Sequence, residues 1–152
     1  MQQHEFEALM ATAIKREIEA KQFYHDVEQR VENEEVKTVF SQLAKEEMGH
    51  MELLEKFKAD QSMVMKIAAP AQDAKVAEAT ELPALSIDMK PADAIALAMK
   101  KEQQAVEFYK GLAEGSNDAG VKEVFDNLAN MELSHKNRLE NVFVQIGYPE
   151  VF

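Results

Sequence analysis

Cysteine is absent from this sequence, so it offers no disulfide, no thiolate metal site and no catalytic thiol, and any redox chemistry must use another centre. Basic residues are few: 17 Lys and Arg stand against 28 Asp and Glu, a formal net charge of −11. That balance repels phosphate backbones and anionic lipid heads and attracts cations. Neither nucleic acid nor a membrane surface is an expected partner. No apolar run approaches the roughly 20 residues that span a bilayer, and Met1-Gln2-Gln3-His4-Glu5 lacks the basic start and apolar stretch of a secretory signal. A cytoplasmic protein is expected. A chain of 152 residues is the size of one domain, expected over 1–152, and can bury about two-thirds of its unfolded surface.

Proline occurs only at Pro70, Pro83, Pro91 and Pro149, which leaves long uninterrupted segments. In four of these, apolar residues recur every three or four positions, the period of one helix face. The first stripe runs Phe6, Leu9, Met10, Ala13, Ile14, Glu17, Ala20, Tyr24, Val27, Val31. The second runs Val36, Val39, Phe40, Leu43, Glu47, His50, Leu54, Phe57. The third runs Ile95, Ala98, Glu102, Ala105, Tyr109, Leu112, and the fourth Val121, Phe125, Leu128, Glu132, His135, Leu139, Val142, Ile146. Asn33 before Glu34 and Glu35 reads as a helix start, and Gly115-Ser116-Asn117-Asp118 as one stop and the next cap. Pro91 suits a first helical turn, and Gly147 with Pro149 ends the last helix. The expectation is an all-α four-helix bundle of two helical hairpins, about 4–59 and 91–146. Residues of about 60–90 would form a long crossover, with Ala71 to Ala79 a candidate short helix inside it.

Each stripe is interrupted by polar residues at core positions. Glu47-Met48-Gly49-His50 and Glu132-Leu133-Ser134-His135 are two Glu-x-x-His motifs 85 residues apart, and the sequence around the first recurs around the second without a gap. The matched set includes Glu17/Glu102, Phe23/Phe108, Tyr24/Tyr109, Phe40/Phe125, Glu47/Glu132 and His50/His135. Glu17 and Glu47 lie 15 residues either side of position 32, and Glu102 and Glu132 15 either side of 117. In antiparallel hairpins each pair meets at one height, roughly 22 Å from its turn.

Four carboxylates at one level of an apolar bundle would each cost several kcal/mol in desolvation and would repel one another, and no Lys or Arg in the four stripes offsets them. Two divalent cations would. They cancel four Glu charges, while two neutral imidazoles add nitrogen ligands without charge, and Glu and His three apart share one helix face. A Glu from each of two helices with Glu-x-x-His from the other two is the ligand pattern of ferritin-like di-iron bundles.

Through Lys15-Arg16-Glu17…Phe23-Tyr24, Glu47-x-x-His50, Lys101-Glu102…Phe108-Tyr109 and Glu132-x-x-His135 the sequence resembles the rubrerythrin family, over nearly its whole length. The resemblance implies a ferritin-like fold and two iron ions per chain, with manganese or zinc as substitutes, held by Glu17, Glu47, His50, Glu102, Glu132 and His135. It implies a di-iron oxidoreductase that reduces hydrogen peroxide or dioxygen as ferrous iron is oxidised. The alternatives are a ferroxidase coupled to iron storage and a non-catalytic metal-binding module. Ala105 stands where rubrerythrins carry an additional Glu, leaving a four-Glu, two-His set. The cysteine-ligated rubredoxin domain of the family has no counterpart, so electrons would come from an external donor such as a rubredoxin-like protein. Tyr24 and Tyr109 read either as core aromatics or, leaning toward the amino end of their helices, as hydrogen-bond donors to ligand carboxylates at the catalytic site. Met48 reads as a surface or interface methionine, and Glu46, Glu52, His4 and His25 as solvated positions. Gly49 suggests close approach of another helix or chain. With only Tyr148 to Phe152 after Gly147, a homodimer is expected rather than a storage shell.

Overall fold

Turn residues set the helix boundaries. In the computed structural model, which describes residues 3–59 and 90–145, α1 spans Gln3–Arg30, α2 Glu34–Ala59, α3 Pro91–Glu114 and α4 Ala119–Gln145. Asn33 caps α2 as expected: its Oδ1 accepts the Val36 N–H at 3.0 Å. Asp118 does the same for α4, accepting from Gly120 at 2.9 Å and Val121 at 3.2 Å. Pro91 opens α3 behind an extended Lys90. Gly115 ends α3 as expected, with right-handed backbone angles (φ −81°, ψ −4°).

α1 packs on α2 and α3 on α4, giving the two expected hairpins of an all-α four-helix bundle. Their stripes build two apolar layers. One joins Val27 and Val31 to Val36, Phe40, Ile95, Met99, Leu139 and Phe143. The other joins Phe6 and Met10 to Leu54, Phe57, Ala113, Val121, Phe125 and Leu128. The carboxyl end of α1 therefore shares a layer with the amino end of α3, and Ala59 and Lys90 fall at opposite ends of the bundle. The expected crossover, the helix suggested at 71–79, and the Gly147 and Pro149 stop lie outside the described residues. Among the described residues no helix is long and apolar enough to cross a membrane.

Two features depart from the single-stripe reading. Ala94 through Met99 are buried on every side of α3, not on one face. On α4, Lys136 and Glu140 are both fully buried and lie 3.7 Å apart, a buried ion pair beside His135 but directed away from the apolar stripe.

Candidate metal centre

Between the two apolar layers lies one polar layer. Glu17 of α1, Glu47 and His50 of α2, Glu102 of α3 and Glu132 and His135 of α4 are all buried, from 0% to 8% exposed. All six residues singled out by the repeat thus converge, each at the mid-helix height that the turn spacing implied. Glu17, Glu47, His50 and Glu132 form one group, and Glu47, Glu102, Glu132 and His135 a second; in each group one ligand-capable atom per residue lies within 4.8 Å of all the others. Glu47 and Glu132 belong to both groups. Each Glu-x-x-His therefore contributes a shared carboxylate, while Glu17 with His50 and Glu102 with His135 are confined to one group apiece.

The donor atoms point inward, and apart from the His50–Glu132 hydrogen bond most do not satisfy one another. Nδ1 of His50 lies 3.0 Å from Glu132, 3.6 Å from Glu17 and 3.7 Å from Glu47. His135 Nδ1 lies 2.7 Å from Glu47 Oε1, yet neither atom is in a hydrogen bond, and Glu17 Oε2, Glu47 Oε2 and Glu102 Oε2 are also buried without a partner. Buried orphan acceptors are rare in folded proteins because each carries its full desolvation cost. Here five orphan atoms face a common centre, which is the arrangement expected of oxygen and nitrogen donors around a cation. The donor set fits two divalent metals.

Electrostatics agree. Burial, then the neighbouring carboxylates, push Glu47 and Glu132 well above the usual carboxylate range. Burial works the same way on Glu17, but the closeness of Glu47 and His50 and the hydrogen bond from Tyr109 outweigh it and hold that carboxyl low. Burial disfavours a charged His135, yet Glu102, Glu46 and Glu132 outweigh burial and raise its pKa. Without metal, the layer relieves its excess negative charge by holding protons.

The repeat is also a structural two-fold. The His50 and His135 rings stack with centroids 5.2 Å apart. Tyr109 donates to Glu17 at 2.8 Å, and Tyr24 donates to Glu102, so each hydroxyl bonds the carboxylate of the other half. The reach expected of these tyrosines is present, but across the bundle. Burial first, and then Glu102 for Tyr24 and Glu17 for Tyr109, raise both phenols well above their ordinary value, which keeps them protonated donors.

A cavity of about 200 Å³ runs from this layer outward between α1 and α3, lined among others by Ala20 and Ala105. These small residues lie one turn beyond Glu17 and Glu102 and leave the passage open. Its rim carries two cation–π pairs that the sequence reading missed: Arg16 over Phe108 at 4.1 Å and Lys101 over Phe23 at 4.8 Å. Both pairs connect one half to the other, and the repeat that relates Arg16 to Lys101 and Phe23 to Phe108 was the available signal.

Two readings need correction. Glu46 is not simply solvated: Arg138 binds both its oxygens and His135 Nε2 lies 3.6 Å away. Gly49 does not mark a close helix approach, since a Cβ there would meet nothing within 4 Å.

The Rubrerythrin family profile matches residues 8–143. Among solved structures, a hypothetical protein from Pyrococcus furiosus is similar, with 28% identity and a TM-score of 0.65 over 93% of this chain and 89% of that one. No curated protein gives a significant match. With its buried carboxylate and histidine layer between paired helical hairpins, the chain belongs to the rubrerythrin family, the ferritin-like di-iron family.

Proposed function

We propose that this protein is a di-iron oxidoreductase of rubrerythrin type that reduces hydrogen peroxide, or dioxygen, in the cytoplasm. The observation that carries the reading is the pair of overlapping buried donor groups sharing Glu47 and Glu132. Glu17 with His50 would help hold one iron and Glu102 with His135 the other, with Glu47 and Glu132 available to both. A pair of ferrous ions bound there would supply the two electrons that peroxide reduction requires.

The protein's own part is to bind, orient and exclude. The apolar layers above and below limit water to the side passage. Tyr24 and Tyr109 fix the outer carboxylates by donating to Glu102 and Glu17, and their raised pKa values keep the hydroxyls protonated for that positioning role. Ala20 and Ala105 leave room for a small oxidant in the passage between α1 and α3. Arg16 and Lys101 stand at its rim beside Glu19, each cation held over a ring of the opposite half.

Electrons for re-reduction would come from an external donor such as a rubredoxin-like protein. We expect a homodimer. Stopped-flow oxidation of the ferrous protein tests the reading: peroxide should act faster than dioxygen, with sustained turnover once reductant is supplied. Iron accumulating far beyond two per chain, or light scattering from a shell of many subunits, would favour a storage ferroxidase instead.

A further inference from the structure

The two-fold arrangement breaks one step out from the donor layer. His135 turns Nδ1 inward and presents Nε2 to Glu46 Oε1 at 3.6 Å. Arg138 grips that carboxylate from the far side, Nη1 on Oε2 and Nη2 on Oε1, the latter at 3.0 Å. The side chains of Glu46 and Arg138 are 40% and 37% exposed, so the chain of contacts runs from a buried ring to the surface. In the other half, the positions equivalent to Glu46 and Arg138 are Met131 and Leu53, neither of which carries a charge. The inner donors repeat and this outer pair does not.

A carboxylate facing Nε2 selects the tautomer with its proton on that nitrogen and its lone pair on Nδ1, the atom aimed at the metal position. It also offsets positive charge drawn onto the ring by a coordinated cation. The planar two-point grip of Arg138 holds the carboxylate in place, which a single-point contact would not. At the equivalent positions His50 faces Met131 and Leu53, which offer its ring neither a carboxylate nor a guanidinium.

We propose that Glu46, held by Arg138, makes the two metal positions inequivalent, so that the position formed by Glu102 and His135 fills before that formed by Glu17 and His50. Glu46 and Arg138 act as positioning residues through His135. The proposal rests on the two-metal reading above and adds an order of filling to it.

Zinc alone is a suitable probe, being diamagnetic and free of redox chemistry. The sequence has four histidines, so ring 15N resonances of the full-length protein can report His50 and His135 separately during a zinc titration. The first equivalent should shift His135 over His50 by at least about tenfold, the low end of what an outer-shell partner contributes to affinity. The second equivalent should then shift His50. In Glu46→Gln the preference should fall below about threefold, with total zinc per chain unchanged at saturation. Arg138→Gln, which leaves Glu46 in place but ungripped, should give an intermediate preference and serves if the first variant does not fold. If His50 and His135 shift in parallel in the unaltered protein, or if Glu46→Gln keeps the His135 preference, the proposal is wrong. Failure of the underlying two-metal reading would look different: the unaltered protein would saturate below two zinc ions or shift neither ring, and the proposal would fall with it.

Discussion

A chelator that strips the metal leaves Glu17, Glu47, Glu102 and Glu132 facing one another at exposures of 2%, 0%, 2% and 2%. The metal-free fold then depends on protons. Glu47 and Glu132 have pKa values raised by burial and by their neighbours, and His135 is raised by the surrounding carboxylates despite its burial. A group whose pKa is higher folded than unfolded contributes its stability in full below the unfolded value and loses it as pH rises through the folded value. Glu17 runs the other way, but its loss falls at a pH below the ordinary carboxylate range. Between about pH 5 and pH 8 the metal-free protein should therefore become steadily less stable. Bound metal opposes this. One ion at a free concentration a thousandfold above its dissociation constant stabilises by about 4 kcal/mol. At this chain length about 2–4 °C accompanies each kcal/mol, so one site corresponds to roughly 8–16 °C. Melting followed by circular dichroism, with chelator or with Mn2+ as a redox-stable probe, at pH 6 and pH 8, reads both effects. The metal-induced rise in Tm should be larger at pH 8. Coincident melts with and without metal, or a metal-free protein more stable at pH 8 than at pH 6, would refute the reasoning.

Other variants probe single contacts. Glu132→Ala removes a member of both donor groups, whereas Glu52→Ala changes an exposed acid; metal analysis should find at least one ion lost per chain in the first and none in the second, with equal losses counting against the assignment. Tyr109→Phe deletes the 2.8 Å hydrogen bond to Glu17 and should lower the stability of the metal-loaded protein by about 1–2 kcal/mol in urea unfolding, while an unchanged midpoint would mean that the hydroxyl is dispensable. Gly49→Ala places a methyl where nothing lies within 4 Å and should raise stability by about 0.5–1 kcal/mol in the same assay; a loss would point to an intermolecular contact at that face.

Helix stripes, capping residues and the repeat were enough to anticipate the architecture, because all three are local in sequence or repeat at a constant offset. Asn33 and Asp118 cap as their chemistry demands. The six inward residues were identifiable because charged groups on an apolar stripe have no inexpensive explanation other than a cation. What escaped was non-local. The bond from Tyr24 to Glu102 spans 78 positions and the grip of Arg138 on Glu46 spans 92, and no helical period predicts which residue of a facing helix is met. Glu46 lies immediately beside the second stripe, so periodicity alone read it as solvated. Lys136 escaped for a related reason, since it lies off the stripe of α4 and yet is fully buried. The pairing of Arg16 with Phe108 and Lys101 with Phe23 required knowing that α1 and α3 are neighbours, which the repeat does not state.

The central claim is that six residues hold two metal ions inside this bundle. Protein purified anaerobically from iron-replete cells and analysed for metal by mass spectrometry, per mole of chain, tests it most directly. The account predicts two ions per chain, chiefly iron, with both lost in Glu47→Ala or Glu132→Ala and one retained in Glu17→Ala, since only the first two residues belong to both groups. A metal content near zero in the unaltered protein, or a content of two that survives Glu132→Ala, would contradict it.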